Sequence, residues 1–472
     1  MVTSARTKKK GAETAPNTGH TTKQSIRVRD FFSSNVKTFS LYDNVRSIPK
    51  LTDGLKPSQR KALCGALSRG ENAGELQLER LASLIAAHTD YHHGASSLVG
   101  TIVNMANSTM PGMNNMNLFV PSGQFGSRLT KEPGAGRYIF TYLSPNFRQL
   151  FKKEDDCILK PIIVDGEPIE PETYIPLLPM PLINGASGTG TGHACEIYSY
   201  HPNDVRDSVL ASLEGKNKTR KSLTPWFRGY HGTVSRVPGT GQVVTAGKLE
   251  IVDANTIRIT ELPLGVYVET YKDFLNELEV STPAKPALIK SYDDRSTEES
   301  FDFIVNVPRS TTDLPLETLM TKFKLIGRGT ENFTLWSPAG ILKKYESPEH
   351  VIEDFITWRL EKYEERRQKQ IEDAAEQARF QGEQIRFVKF YLKNSKVFKD
   401  TGKKELINLL LEHNFADYER LMAMPLWNLT RDKIEELEKK LTTTLESLVH
   451  LKNDTASAMY TRELRSFSYS PT

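Results

Sequence analysis

Residues 78–106 read LERLASLIAAHTDYHHGASSLVGTIVNMA, and their pattern decides the architecture of the first third of the chain. Apolar residues recur every three or four positions on both sides of the turn 89–94, which predicts two amphipathic helices. Their apolar faces consist of Leu78, Leu81, Leu84 and Ile85 in the first helix, and of Leu98, Val99, Ile102, Met105 and Ala106 in the second. Two helices joined by a glycine-containing turn form the helix-turn-helix pattern, in which the second helix lies against DNA.

The sequence on both sides of this stretch extends the pattern. Pro57 suits the first turn of a preceding helix, and short strands are predicted at 117–120 and 138–143. With these strands the helix-turn-helix becomes a winged helix, and we predict that this domain occupies residues 29–155. Residues 91–127 contain no Lys, Arg, Asp or Glu, which indicates a segment that is buried or faces a partner.

Charge is distributed unevenly along the 472 residues. Residues 1–150 carry a net charge of +10, whereas residues 151–472 carry −6. A basic surplus in the first third points to a polyanion, and nucleic acid is the commonest such partner. Residues 1–28 include three consecutive lysines and are predicted to form a flexible basic tail. That tail could add non-specific DNA affinity or could simply be solvated.

The remainder of the chain divides into two further parts, so the predicted fold class is mixed α and α/β, multidomain. Residues 156–345 alternate strand-like and helical patterns and are predicted to form an α/β domain. Residues 346–472 contain two long helical patterns on either side of a short apolar segment at 415–429. This arrangement suggests an antiparallel coiled coil with a globular knob, and an ordinary helical bundle fits the same pattern almost as well.

Several classes of protein are excluded by what the sequence lacks. No G-x-x-x-x-G-K-[ST] loop, Asp-x-Asp pair, H-E-x-x-H segment or Cys/His zinc spacing occurs. The three cysteines are far apart, which fits a reducing compartment, and no apolar run approaches the ~20 residues of a membrane span. We therefore predict no metal site and no nucleotide site on this chain, so that any metal or nucleotide is held by another subunit.

A possible nucleophile remains at Arg137-Tyr138. A tyrosine phenol has a pKa of about 10 and needs stabilisation of its anion before it attacks efficiently. An adjacent arginine could provide that stabilisation and could also balance charge that develops on a phosphodiester. The chain has 17 tyrosines, so this pair on its own does not define a site.

Seven ordered motifs resemble those of type IIA DNA topoisomerases. They are RSIPKLTDGLKPSQR (46–60), YHHG (91–94), PSGQFGSR (121–128), AGRYI (135–139), NGASGTGTG (184–192), WFRG with ITELP (226–229 and 259–263), and MPLWNLT (424–430). The AGRYI segment resembles the family's active-site motif. The length of the chain resembles that of the medium subunit of the topoisomerase of T-even-type bacteriophages, and the motifs YHHG and RYI are more similar to the phage and eukaryotic enzymes than to gyrase.

The resemblance implies a fold and a distribution of functions between two kinds of subunit. It implies a winged-helix DNA-gate domain, an α/β tower domain, and a long antiparallel coiled coil with a C-terminal gate knob. It also implies the DNA-cleaving and rejoining subunit of an ATP-dependent type II topoisomerase. In that arrangement a partner ATPase/TOPRIM subunit holds both ATP and Mg²⁺.

The resemblance also assigns roles to individual residues. The implied catalytic residues are Tyr138, Arg137, His93 and Arg46. Tyr138 would form a 5′-phosphotyrosyl link, with Arg137 stabilising the charged phosphorus and His93 donating to the phosphate. The implied DNA contacts are Lys56, Arg60, His92, Ser96, Arg128 and Thr189. Most relatives carry at the position of Thr189 an isoleucine that wedges between base pairs.

The expected partners are double-stranded DNA, the ATPase/TOPRIM subunit and a second copy of this chain, with no membrane. The expected location is the cytoplasm, which would be that of the host if a phage encodes the chain. A competing hypothesis is a non-catalytic architectural DNA binder, with a winged helix on a coiled-coil dimeriser. That protein would not require Arg137-Tyr138, His93 and Lys56 together.

Overall fold

The computed structural model describes residues 27–216, 222–281, 287–400 and 402–470. Almost all of the predicted tail, residues 1–28, lies outside these ranges. The first domain consists of helices followed by a small antiparallel sheet of strand order β1-β3-β2. Its elements are α1 (Val28–Phe31), a π-helical turn (Phe32–Val36), α2 (Lys37–Ser47), α3 (Pro57–Leu67), β1 (Leu76–Gln77), α4 (Leu78–His88), α5 (Ala95–Ala106), β2 (Phe119–Ser122), β3 (Phe140–Leu143) and α6 (Asn146–Leu150).

The two helices predicted from residues 78–106 are present as α4 and α5. Leu78, Leu81 and Ile85 are buried as expected, but Leu84 is exposed, so its assignment to the apolar face was wrong. Position 84 lies about a quarter-turn away from Ile85 around the helix, which directs it to solvent. The predicted strands exist with shifted bounds, and residues 138–139 precede β3 rather than belonging to it.

A second region consists of hairpins and two larger antiparallel sheets. The sheets have strand orders β10-β11-β13-β12 and β14-β9-β8. Its elements are a 3₁₀ turn (Lys153–Ile158), β4 (Pro161–Val164), β5 (Glu167–Pro171), α7 (Met180–Ile183), β6 (Ala186–Gly190), β7 (His193–Ile197), α8 (Pro202–Leu213), β8 (Thr233–Arg236), β9 (Gln242–Ala246), β10 (Lys248–Asp253), β11 (Thr256–Glu261), α9 (Val268–Glu279), β12 (Ser291–Asp294), β13 (Phe303–Asn306), α10 (Arg309–Thr312), α11 (Leu316–Lys322), β14 (Ile326–Thr330), β15 (Phe333–Trp336) and β16 (Leu342–Tyr345).

The last region is helical. Its elements are α12 (Pro348–Lys393), α13 (Ser395–Asp400), α14 (Lys403–Glu412), α15 (Tyr418–Met422), a 3₁₀ turn (Leu426–Asn428), α16 (Arg431–Asn453) and α17 (Ala456–Ser466). Helices α12 and α16 run antiparallel, because Lys389 binds Glu438 whereas Arg367 binds the carbonyl of Leu451 further along α16. The pairing agrees with the predicted long helices, and α17 was not predicted.

Buried apolar residues in the described ranges form three clusters, and the first of them joins the three regions. The largest joins α3, α4 and α5 to α8, to the hairpins β6-β7 and β15-β16, to the start of α12 and to α17. A second lies under the sheet that contains β11 and β13, where Ile257 and Ile259 are buried at alternating positions. The third forms the knob around Phe387 and Phe415. The region of α3, α4 and α5 therefore shares one core with the base of α12.

A buried ionic cluster fixes that base. Asp155 accepts hydrogen bonds from Arg359 and Arg366, and Arg366 also pairs with Glu463 of α17. Tyr363 lies beneath both guanidinium groups, 4.0 Å and 4.5 Å from ring centroid to guanidinium carbon. Buried charges of this kind persist only when paired and hydrogen-bonded, so the cluster locks α12 to its neighbours.

Candidate active site

Tyr138 lies in the turn 136–138 that leads into β3, and 70% of its side chain is exposed. Its backbone N–H donates to the carbonyl of Ala135 at 2.8 Å, which closes the turn. The guanidinium carbon of Arg137 lies 5.1 Å from the centre of the Tyr138 ring. The predicted nucleophile and its neighbouring cation are therefore both presented to solvent, side by side.

The tyrosine turn is held against the two helices that follow β1. The N–H of Leu78 donates to Ile139 and that of Glu79 donates to Gly136, at 3.0 Å and 3.3 Å. Gly136 is buried, and a Cβ atom at this position would lie 3.2 Å from Val99 of α5. The small residue at 136 lets the turn pack directly against the helix predicted to lie on DNA.

Four predicted site residues line a single pocket of about 450 Å³. They are Arg46 from the end of α2, Lys56 from the start of α3, and His92 and His93 from the turn between α4 and α5. Arg137 and Tyr138 do not line this pocket. The tertiary fold thus collects four groups that are able to donate hydrogen bonds to an anion from segments that are far apart in sequence.

Lys56 lies in this pocket as a partly buried cation. Burial lowers the pKa of its ammonium group below the ordinary value of 10.5. Among the residues that the structure describes, the ammonium group has no carboxylate and no other hydrogen-bond partner. Burial of a charge without a partner costs free energy, and an anion in the pocket would supply the counterion that Lys56 lacks. Lys61, which also lines the pocket and was not predicted, is instead paired with Glu170 and the carbonyl of Thr89.

The histidine turn is held by local contacts. His92 lies 3.0 Å from the carboxylate of Asp90, and the His93 ring packs edge-on against Tyr91 with centroids 5.5 Å apart. The Tyr91 hydroxyl donates to Ser97 in the first turn of α5 at 3.2 Å. Ser96, a predicted DNA contact, is exposed beside it. The turn therefore presents both imidazoles and the start of α5 to the same surface.

Two predicted DNA contacts need correction. Arg60 is 4% exposed and forms two hydrogen bonds to the carboxylate of Asp53. Arg128 is 2% exposed and pairs with Glu261 of β11. Each guanidinium is committed to an internal carboxylate, so neither faces a phosphate. Arg60 instead supports the turn before α3, and Arg128 connects the first domain to the strand-rich region.

The glycine-rich run 184–192 forms the hairpin β6-β7 rather than a phosphate loop. Gly188 and Gly190 are required by close packing against α2, because a Cβ atom would lie 2.0 Å from the carbonyl oxygen of Ser47 at position 188 and 2.2 Å from the Asn44 side-chain oxygen at position 190. Thr189 points outward near the tip of this hairpin, opposite Ala194 in the register. Thr189 is thus an exposed strand residue close to the pocket lined by Arg46, Lys56, His92 and His93, which we call the cationic pocket. A Cβ atom at the preceding Gly188 would lie 3.5 Å from the Lys56 ammonium nitrogen.

Residues that sequence reasoning missed hold the tip of this hairpin in place. Thr191 donates to the Asp43 carboxylate at 2.7 Å, and the Asn44 side-chain amide donates to the carbonyl of Thr191 at 3.1 Å. No sequence signal links α2 to a segment almost 150 positions away. Only the contact itself identifies Asp43 and Asn44 as supports of Thr189.

The three thiols do not offer a competing nucleophile. Burial raises the pKa of Cys64 to about 11 and that of Cys195 to about 12. The pKa of Cys157 is also raised, by burial and by neighbouring carboxylates. Thiolate chemistry needs a lowered pKa, so these environments disfavour it.

Within the described ranges, no three histidine, cysteine, aspartate or glutamate side chains lie close enough together to hold a metal ion. Across the same ranges, no helix is both long enough and apolar enough to cross a membrane.

Comparison with known proteins gives the family. Residues 46–465 match the model of the family that comprises the A subunits of DNA gyrase and topoisomerase IV. The chain belongs to this family. The match includes the histidine turn, the Arg137-Tyr138 turn, the glycine-rich hairpin and most of the long helical region.

Two of the curated proteins to which this topoisomerase-family chain is similar come from eukaryotes. DNA topoisomerase 2-alpha of Gallus gallus is 34% identical over 94% of this chain and 30% of the relative. DNA topoisomerase 2 of Candida albicans is 35% identical over 84% of this chain and 27% of the relative. The chain thus spans about three-tenths of the length of the curated relatives that it matches.

A solved structure shows the same fold. It is the Plasmodium falciparum topoisomerase II DNA-binding, cleavage and re-ligation domain, with a TM-score of 0.86 and 32% identity. The alignment covers 93% of this chain and 63% of that one. The mixed α/β, multidomain class predicted from the sequence is therefore confirmed. The four domain boundaries, the coiled coil and the individual site roles stay predictions.

Proposed function

We propose that this chain is the DNA-cleaving and rejoining part of an ATP-dependent type II DNA topoisomerase. One observation carries the proposal: in a chain of this family, Arg137 and Tyr138 project side by side from an exposed turn on a helix-turn-helix domain. The relatives support catalysis, since they are named DNA topoisomerases. Nothing in these comparisons supports the architectural alternative.

The proposed reaction is a transesterification. The Tyr138 phenol gives up its proton to solvent, its oxygen attacks a backbone phosphorus to form a phosphotyrosyl bond, and the bond from phosphorus to the 3′ oxygen breaks. The electron pair leaves with that oxygen, which takes up a proton to become a 3′-hydroxyl. The reverse attack by this hydroxyl reseals the strand without ATP. Arg137 lies where its charge can stabilise the phenolate and the negative phosphorus centre.

We propose that the cationic pocket holds the DNA backbone next to the reacting phosphate. Phosphate oxygens would accept hydrogen bonds from Arg46, Lys56, His92 and His93. Such contacts position a duplex without reading its sequence. Ser96 and Thr189 would contact the same duplex from α5 and from the glycine-rich hairpin. Arg60 and Arg128 are left out of this set because both are buried in ion pairs.

We also propose a partner subunit that carries the ATPase and TOPRIM domains and holds ATP and Mg²⁺. The support comes from the continuous helical segment 28–47, which consists of α1, the π-helical turn and α2. Polar residues such as Asn44 face the rest of the protein, whereas apolar residues face solvent. Its exposed apolar side chains are Val28, Phe31, Phe32, Phe39, Leu41, Tyr42 and Val45. Such a patch is characteristic of a surface that a partner covers.

A second copy of the chain is proposed as well, since each Tyr138 would cut one strand of the duplex. The knob between α12 and α16 offers a contact surface, because Trp427 is 78% exposed there and Leu411 is also exposed. We propose that this knob is the exit gate of a homodimer.

The finer identity is also a proposal. We propose a breakage-reunion subunit like the medium subunit of T-even-type bacteriophages, and the sequences YHHG (91–94) and RYI (137–139), which are similar to both the phage and the eukaryotic enzymes, are compatible with it. A phage origin would place the chain in the cytoplasm of the host.

The decisive experiment is Tyr138→Phe, with Tyr142→Phe on the adjoining strand as the matched control. The chain is incubated with DNA, the ATPase/TOPRIM subunit and Mg²⁺, and covalent adducts are trapped with detergent. We expect adducts with the wild type and with the control, none with Tyr138→Phe, and nearly unchanged DNA binding in all three. Adducts at the wild-type level with Tyr138→Phe would refute the assignment.

A further inference from the structure

The peptide group between Arg137 and Tyr138 is bound by a side chain from another element. Gln77, the last residue of β1, donates its side-chain amide N–H to the carbonyl oxygen of Arg137 at 2.7 Å. That carbonyl belongs to the peptide bond that joins Arg137 to Tyr138. The orientation of this single peptide plane sets the directions in which both side chains leave the backbone.

The other hydrogen bonds of the tyrosine turn are between backbone groups. They join Tyr138 to Ala135, Gly136 to Glu79, and Ile139 to Leu78. Among the described residues, no other side chain donates a hydrogen bond to residues 135–139. The backbone bonds attach the turn to the domain, but none of them accepts or donates at the Arg137 carbonyl. Gln77 therefore adds a side-chain restraint at the carbonyl end of a peptide group whose N–H end is already held by the carbonyl of Ala135.

This restraint matters because the reacting groups are exposed. The Tyr138 ring is largely in solvent and contacts Arg137, which is itself exposed. Neither side chain is wedged in place by a packed core, so their placement depends on the backbone that carries them. A misplacement of about 1 Å at a reacting atom is enough to slow a reaction by up to 100-fold.

We propose that Gln77 is a positioning residue for the cleavage reaction, an inference that rests on the proposed function. By holding the Arg137 carbonyl, its amide aligns the Tyr138 oxygen for in-line attack and keeps Arg137 beside the developing charge. Gln77 touches neither DNA nor phosphorus in this role. Its side chain should affect the rate of cleavage and of rejoining, and should leave DNA affinity unchanged.

Three substitutions separate this role from a structural one. Gln77→Leu removes the donor while keeping a similar volume. Gln77→Glu keeps the shape but presents a carboxylate, which accepts hydrogen bonds and repels the carbonyl. Gln77→Lys restores an N–H donor on a flexible stem. Gln368→Leu, on the distant helix α12, is the matched control, because Gln368 also donates its side-chain amide at the surface.

The measurements are the single-turnover cleavage and rejoining rates at saturating DNA in the complex with the partner subunit, the Kd for DNA, and the thermal unfolding temperature. We expect about tenfold slower cleavage for Gln77→Leu, the scale set by one lost aligning hydrogen bond, and a larger loss for Gln77→Glu. Gln77→Lys should recover most of the rate. Kd and the unfolding temperature should match those of the control in every variant.

The outcomes distinguish this inference from the proposed function. If the wild type forms adducts and Gln77→Leu cleaves at the wild-type rate, the positioning role is overturned and the nucleophile assignment stands. A loss of rate that follows a fall in unfolding temperature, without rescue by Gln77→Lys, also overturns it in favour of a structural role. If the wild type forms no adduct, both fail.

Discussion

Arg60 and Lys56 lie four residues apart at the start of α3, but their substitution by glutamine should change different properties. Arg60→Gln should lower stability, and Lys56→Gln should reduce the salt dependence of DNA binding. Arg60→Gln removes three hydrogen bonds, two to the fully buried carboxylate of Asp53 and one to the carbonyl of Leu55. The Asp53 charge would then remain buried without its cation. Breaking one partner of such a pair costs about 3–5 kcal/mol, so the chain should be clearly destabilised.

Lys56→Gln should leave stability nearly unchanged and should weaken the salt dependence of DNA binding. The Lys56 ammonium has no partner within the described part of the chain, and burial already lowers its pKa. Replacing it should change stability by no more than about 0.5 kcal/mol, the usual range for a side chain without specific contacts. If Lys56 contacts one phosphate, the slope of log Kobs against log salt concentration should become shallower by about 0.9.

The assay measures both quantities on both variants. Urea unfolding followed by tryptophan fluorescence reports stability, and duplex binding titrated at several salt concentrations reports the slope. Arg60→Gln should lower the urea midpoint and, under conditions where it is folded, keep the wild-type slope. The reasoning is refuted if Arg60→Gln is as stable as the wild type and loses slope, since that is the behaviour of a phosphate contact.

Two further predictions concern the glycine-rich hairpin. Thr189→Ile should bend a gate-length duplex more strongly in an end-to-end energy-transfer measurement and cleave a broader set of sequences, because isoleucine fills an opened base step better than threonine. Unchanged bending and an unchanged cleavage pattern would exclude a wedge at this position. Gly188→Ala should displace the hairpin, since its Cβ would lie 2.0 Å from the Ser47 carbonyl oxygen. We expect lower stability and weaker cleavage, and a variant that retains both would contradict the packing shown here.

Two cations that the sequence assigned to DNA, Arg60 and Arg128, are buried in ion pairs, because the burial and the partner of a charged side chain are set only when the chain folds. Arg60 and Lys56 belong to one motif and carry the same charge, so nothing in the sequence separates them. The buried Asp53 carboxylate accepts from Arg60 and from the N–H of Tyr174, whereas the Lys56 ammonium meets no acceptor among the described residues. Arg128 was likewise misassigned, because its partner Glu261 lies 133 positions away.

The sequence by itself determined the features that are local. Helical periodicity placed α4, α5 and α12, and the ordered motifs predicted the family and singled out the Arg137-Tyr138 pair. Such features depend on neighbouring residues, whose spacing is visible in the chain. Only the tertiary structure decided which cations face solvent, why Gly188 must lack a side chain, and that Gln77 holds the Arg137 carbonyl. The physical reason is that burial, counterions and close approach are set by groups brought together from distant segments.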